Sequence, residues 1–90
     1  MRQENERMQK WLKGQGIEAK AKYLFKGSMK NTWRLYNPEI PWTKELWEKL
    51  NGLGFTDAFY KPLGQFSGNG GMFSTFVRGH YELLGGKEWE

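Results

Sequence analysis

The first apolar positions of the chain recur at helical spacing. Met8, Trp11 and Leu12 lie three and four residues apart and give one narrow apolar stripe to an otherwise polar segment, as on an amphipathic helix. Gly14 stands where a glycine commonly ends a helix. The pattern therefore predicts a helix over residues 2–13. Because its apolar stripe is narrow, this helix is the element that we most expect to detach from the domain or to swap between protomers.

Residues 17–26 alternate between apolar and polar positions, which predicts a strand with one dry and one wet face. A turn-like GSMKN segment follows, and residues 32–36 alternate again. The two segments are therefore predicted to form a β-hairpin. If its turn closes symmetrically, Lys22 faces Tyr36 across the wet side.

The next segment contains Pro38 and Pro41, which predict the end of the second strand. Thr43 then stands at the N-cap position of a second predicted helix over residues 44–51. The tryptophans on either side of this cap have the spacing of a hydrophobic staple. This helix is therefore predicted to begin at a well-defined residue.

Two further strands, residues 55–60 and 72–84, complete the pattern. The resulting element order is α-β-β-α-β-β. We therefore predict a single α+β domain over residues 1–90, with an antiparallel sheet, two helices packed on one face of it, and a flexible tail over residues 85–90.

A glycine-rich connector, residues 64–71, joins the last two strands. Phosphate-binding glycine loops normally lead into a helix, whereas this connector leads into a strand and no lysine follows it. Its Asn69-Gly70 pair is typical of a hairpin turn. The alternative is a mobile recognition loop that carries Phe66.

Composition narrows the chemistry that this chain can perform. It contains no cysteine and one histidine, which excludes disulfides, zinc–thiolate sites, iron–sulfur clusters and catalytic thiols. A triad of His80, Asp57 and one of Ser28, Ser67 or Ser74 is not expected. Ser74 lies roughly 20 Å from His80 along the predicted strand, and the sequence contains no G-x-S-x-G motif. We predict no catalytic centre, metal site or cofactor, and interpret His80 as a surface residue or hydrogen-bond donor.

No segment of the sequence reaches the about 20 apolar residues that a membrane span needs. The beginning of the chain is polar and lacks the apolar core of a signal peptide. Together with the absence of cysteine, these features predict a cytoplasmic protein with no membrane partner.

The net charge of +4 is unevenly distributed, since residues 10–34 hold seven basic residues and one acidic residue. Such local charge predicts a basic face on the wet side of the hairpin. Lysine and arginine neutralise phosphates, and a neighbouring aromatic ring can stack on a base. The alternative is a solvated face that protects the sheet from edge association. The candidates for binding nucleic acid or an acidic partner are Lys20, Lys22, Lys26, Lys30, Arg34 and Tyr36.

The chain has more aromatic residues than a small core readily holds, including five tryptophans. The surplus either fills the core densely or forms a surface for a partner. The candidates for that partner interface are Trp11, Phe66 and Phe76.

No family motif is present. In size, lack of cysteine and α+β patterning, the chain resembles the small proteins encoded by phages and plasmids, some of which inhibit host defence nucleases, including CRISPR effectors. We therefore predict a non-enzymatic protein that docks on a nucleic-acid-handling machine or nucleoprotein, an anti-CRISPR-like inhibitor being one version. The alternative is a module that binds nucleic acid directly through the same basic face. A homodimer is compatible with either hypothesis.

Overall fold

The computed structural model describes residues 3–24, 31–58 and 71–84. Their strands form one antiparallel sheet in the order β1-β2-β4-β3. The predicted α+β class and the order α-β-β-α-β-β are confirmed. The elements are α1 (Gln3–Gly14), β1 (Lys20–Leu24), β2 (Thr32–Pro41), α2 (Lys44–Gly52), β3 (Thr56–Asp57) and β4 (Met72–Arg78), followed by a 3₁₀ turn (Tyr81–Leu84).

Helix α1 packs along β1, with Met8 fully buried in the core. Its Asn5 side chain accepts a hydrogen bond of 2.8 Å from the backbone N–H of Tyr23. Its Gln9 side chain accepts one of 3.0 Å from the N–H of Ala21. The expectation that this helix detaches is therefore wrong, because the apolar pattern omits the two amide side chains that bind the strand.

Helix α2 begins as the sequence predicts. The Thr43 hydroxyl accepts a hydrogen bond of 3.1 Å from the N–H of Leu46, which satisfies one of the free amides of the first turn. The rings of Trp42 and Trp47 pack edge to face, with their centroids 6.1 Å apart, which confirms the hydrophobic staple. Trp47 and Leu50 then bury one side of the helix.

The core lies between the two helices and one face of the sheet. Trp33 is fully buried within it, and its indole N–H donates a hydrogen bond of 2.8 Å to the carbonyl of Gly79, so that burial leaves this polar group satisfied. Aromatic packing supplies much of the buried volume of this small chain. The fully buried apolar side chains are Met8, Leu12, Trp33, Leu35, Leu50, Phe55, Phe73 and Val77.

The register of β1 against β2 differs from the predicted one by two residues. Lys22 pairs with Arg34 and not with Tyr36. Asn31 adopts a left-handed conformation (φ 63°), and its N–H donates to the carbonyl of Leu24 at 2.9 Å, beside the last pair of the ladder, Leu24 and Thr32. Since the shift is an even number of residues, residues 20–23 and 33–36 keep their predicted faces. Thr32, which the alternation places on the wet side, is fully buried.

Strand β2 continues through Pro38 to Pro41, so the predicted break is wrong. Its register against β4 shifts between Asn37 and Pro41, and such an irregularity accommodates residues that lack an N–H. At the start of this irregular segment, the Asn37 side chain donates to the carbonyl of Glu18 at 2.7 Å and accepts from the N–H of Glu39 at 2.9 Å.

Strand β4 ends at Arg78, several residues before its predicted end. Gly79 and His80 both have positive φ (130° and 58°), which turns the chain into the 3₁₀ helix Tyr81–Leu84. A Cβ atom on Gly79 would lie 3.1 Å from the carbonyl oxygen of Gly54, so the turn depends on glycine. Alternation in the sequence continues past this point, but strand geometry does not.

Two other predicted strands are also shorter in the structure. The first begins at Lys20, because the N–H of Ile17 donates to the carbonyl of Leu12 at 2.9 Å and belongs to the end of α1. The third consists of Thr56–Asp57 within the predicted 55–60. Predictions for residues 25–30, 59–70 and 85–90, including the connector turn and the tail, lie outside the described residues.

Candidate nucleic-acid interface

Alternate side chains of the sheet point away from the helices and form its outer face. On β1, Lys20 and Lys22 are exposed, whereas Ala21 and Tyr23 are buried. Strands β2 and β4 continue this alternation, as successive residues of a strand must. We name the outer surface shared by the three strands the basic face, and it consists of Lys20, Lys22, Arg34, Tyr36, Ser74 and Phe76.

The first row of the basic face crosses three strands. Lys22 pairs with Arg34, and Arg34 pairs with Phe76. Residues directly opposite one another hold their Cβ atoms about 4.5–5.5 Å apart. Two cations therefore stand side by side with an aromatic ring beyond them. Like charges in this arrangement destabilise the sheet.

The second row lies two residues along the strands. Lys20 pairs with Tyr36, and Tyr36 pairs with Ser74. The two rows are joined by Arg34, whose guanidinium carbon lies 4.4 Å from the centroid of the Tyr36 ring. This cation–π contact holds the guanidinium group over the ring. None of the six positions carries a carboxylate, so the two rows present three cations, two rings and the hydroxyl of Ser74.

Four of the six predicted polyanion-binding residues lie on the basic face, and the other two, Lys26 and Lys30, lie outside the described residues. Arg78 follows Phe76 by two residues on β4 and pairs with Thr56, so its backbone position extends the same face. Alternation along the strand predicted over residues 72–84 puts Arg78 on the same side as Phe76. No local signal in the sequence indicates that this strand lies beside the hairpin.

Phe76 lies on the basic face of the sheet. The sequence groups it with Trp11 and Phe66 as a partner interface, whereas the structure pairs it with Arg34. Phe76 and Arg34 are neighbours because β2 and β4 are adjacent in the sheet. The periodicity of the sequence does not predict the order of the strands. Phe66 lies outside the described residues.

Trp11 lies on the helix-covered side of the sheet, away from Phe76. Its half-buried ring packs edge to face against Phe55, with the ring centroids 6.1 Å apart. The centroid of the His80 ring lies 4.4 Å from that of Trp11. Among the described residues, the only large apolar side chain that is mostly exposed is Met72, at 62%. Most of the partly buried aromatic side chains in the described part of the chain therefore pack against the edge of the core.

His80 joins the 3₁₀ turn to the rest of the domain. Its Nε2 atom donates to the carbonyl of Leu53 at 2.6 Å, since a carbonyl oxygen can only accept. Its Nδ1 atom lies 3.2 Å from a carboxylate oxygen of Glu82. A backbone hydrogen bond within Glu82, helped by His80, lowers the pKa of that carboxyl. The predicted role of His80 as a hydrogen-bond donor is confirmed, whereas its predicted place on a strand face is wrong.

In residues 3–24, 31–58 and 71–84, no three His, Cys, Asp or Glu side chains lie together as metal ligands. No helix in that part of the chain is long and apolar enough to cross a membrane. No protein-family model matches the sequence, and neither a curated protein nor a solved structure matches it.

Proposed function

We propose that this chain is a non-enzymatic binding protein whose basic face contacts the phosphates of a nucleic acid. The observation that carries the proposal is the row in which Lys22, Arg34 and Phe76 stand next to one another across three strands. Lys and Arg side chains that neutralise phosphates release condensed counterions, and this release drives association. The ring at the end of the row adds a surface on which a base can stack.

Edge protection is the other common reason for lysines on a strand such as β1. This edge is protected by a different device, since Asn5 and Gln9 of α1 accept hydrogen bonds from its outward N–H groups. Lys20 and Lys22 project from the face of the sheet and are not needed to block pairing at the edge. Their presence beside Arg34 therefore favours a ligand-binding role.

The pairing of Lys22 with Arg34 also supports a polyanionic ligand. Opposed like charges repel, so the free protein loses stability at this position. A bound phosphate backbone would replace that repulsion with attraction to both cations. The free energy recovered would add to the affinity.

Docking on a nucleoprotein through the nucleic acid that it carries is a form of the same function. An inhibitor of a nucleic-acid-handling enzyme, including a host defence nuclease, would be one such protein. The described residues favour direct contact with nucleic acid, because their aromatic side chains lie either within the basic face or against the core.

The test is a fluorescence-anisotropy titration with labelled single- and double-stranded DNA and RNA at two salt concentrations. We expect binding at low salt that weakens steeply as salt rises, with a slope of about 0.7–0.9 per phosphate neutralised. Replacing both Lys22 and Arg34 with glutamate should abolish this binding.

The matched control replaces Lys44 and Lys49 of α2 with glutamate, which lowers the net charge equally at exposed positions outside the basic face. This control should retain most of the wild-type affinity. Absence of binding at low salt would contradict the proposal, as would an equal loss of affinity in both double variants.

A further inference from the structure

The basic face contains rings and a guanidinium plane at its centre and lysines at one side. Two rings are neighbours of Arg34. Tyr36 lies two residues further along β2, and Phe76 lies directly opposite Arg34 on β4. The lysines belong to β1, the neighbouring strand on the far side of β2. This distribution separates the positions that suit phosphates from those that suit bases.

We propose that the basic face binds single-stranded nucleic acid in preference to a duplex, an inference that rests on the proposed function. Phosphates of the strand run along β1 over Lys20 and Lys22, and its bases lie across β2 and β4. Two contacts of Arg34 support this arrangement. Its guanidinium carbon lies 4.4 Å from the centroid of the Tyr36 ring, and Phe76 lies opposite it on β4.

Ring faces distinguish the two kinds of ligand. In a single strand the bases are free to unstack and lie on aromatic or guanidinium planes, which strengthens binding whatever the sequence. In a duplex the faces of the bases are hidden, and only phosphates and groove edges are accessible. Tyr36 and Phe76 therefore contribute to affinity with a single strand and little with a duplex.

The shape of the described surface points in the same direction. Proteins that read duplex DNA commonly insert a helix or a β-ribbon into a groove. Here both helices lie on the opposite side of the sheet. The basic face is presented by three neighbouring strands, a surface suited to a strand laid across it.

The experiment compares three labelled probes at one salt concentration: an oligodeoxythymidylate, an oligouridylate and a mixed-sequence DNA duplex. We expect at least one single strand to bind about tenfold more tightly than the duplex. The salt dependence of each affinity is then measured for the wild type and for two variants, F76L and K22Q.

The two variants separate stacking from charge. F76L should weaken single-strand binding about tenfold without changing the salt slope, since loss of one stacking platform is worth that much. It should leave duplex binding unchanged. K22Q should reduce the salt slope by nearly one for every probe that contacts this lysine. If F76L does not fold, as judged by circular dichroism, Y36L provides the same comparison.

The outcomes of the two proposals are distinguishable. Salt-dependent binding in which the duplex is equal or tighter, or in which F76L weakens all probes equally, overturns single-strand preference and leaves nucleic-acid binding intact. Failure of every probe to bind at low salt overturns both.

Discussion

The backbone N–H of Tyr23 donates a hydrogen bond of 2.8 Å to the side-chain oxygen of Asn5. One helical turn away, Gln9 accepts from the N–H of Ala21 at 3.0 Å. Four residues of a helix rise about 6 Å and two residues of a strand about 6.6 Å, so the two spacings match along an antiparallel helix and strand. Helix α1 thereby caps an edge strand whose amides would otherwise be open to another chain.

Replacement of Asn5 with leucine should destabilise the fold by about 1–3 kcal/mol. The substitution keeps the size of the side chain but leaves the buried N–H of Tyr23 without its acceptor, and an unsatisfied buried donor carries that cost. The measurement is the free energy of unfolding in urea. The control is leucine at Gln3, an exposed residue of the same helix, which should change stability by less than about 0.5 kcal/mol. Equal effects of the two substitutions would contradict the capping role.

This relationship also marks the limit of prediction for α1. Apolar spacing correctly places the helix and its buried Met8. It underestimates the attachment of the helix, because Asn5 and Gln9 count as polar in such a pattern. Their partners are backbone amides, which leave no trace in the sequence.

The binding surface is predictable to a similar degree. Alternation along the hairpin correctly assigns Lys22 and Arg34 to one face of the sheet. The predicted register is wrong by two residues, and a shift of two residues leaves each side chain on the same face. The place of Phe76 beside them follows from the β2–β4 pairing. That pairing links residues distant in the sequence, so local periodicity carries no information about it.

Replacement of Gly79 with alanine should destabilise the protein by more than about 1 kcal/mol. Gly79 has a φ of 130°, and an added Cβ would lie 3.1 Å from the carbonyl oxygen of Gly54, so the substitution combines backbone strain with a close contact. Gly14 is a matched control, because a Cβ there meets no atom within 4 Å. Alanine at Gly14 should be neutral or slightly stabilising. Thermal unfolding of the two variants tests the contrast, and similar melting temperatures would refute it.

Replacement of Thr43 with valine should cost about 0.5–2 kcal/mol. Valine retains the shape of the side chain but cannot accept the hydrogen bond that the Thr43 hydroxyl takes from the N–H of Leu46, and loss of an N-cap has this magnitude. Serine at the same position keeps the acceptor and should restore most of the stability. Chemical unfolding of the two variants provides the measurement. A serine variant as unstable as the valine variant would mean that the methyl group, and not the hydroxyl, stabilises this helix start.

The stability of the fold should fall as the pH rises from about 10 to about 12 because of Tyr23. Burial, followed by the nearby Tyr81 and Glu4, raises the pKa of Tyr23 from 10.0 to about 12. The hydroxyl also donates to the Asn31 side chain at 3.2 Å, which favours the protonated form. Between these two pH values the unfolded chain releases the proton that the folded chain retains, so the free energy of unfolding decreases with pH.

Phenylalanine at position 23 isolates this effect from the other groups that titrate at alkaline pH. The difference in unfolding free energy between the wild type and Y23F should be constant below about pH 9 and should shift against the wild type above pH 10. A pKa difference of two corresponds to about 2–3 kcal/mol once both states are ionised. Urea unfolding across this range gives the difference, and the ultraviolet absorbance of tyrosinate follows the ionisation directly. Parallel stability curves for the two proteins would show that the Tyr23 hydroxyl ionises equally well in the folded and unfolded chains.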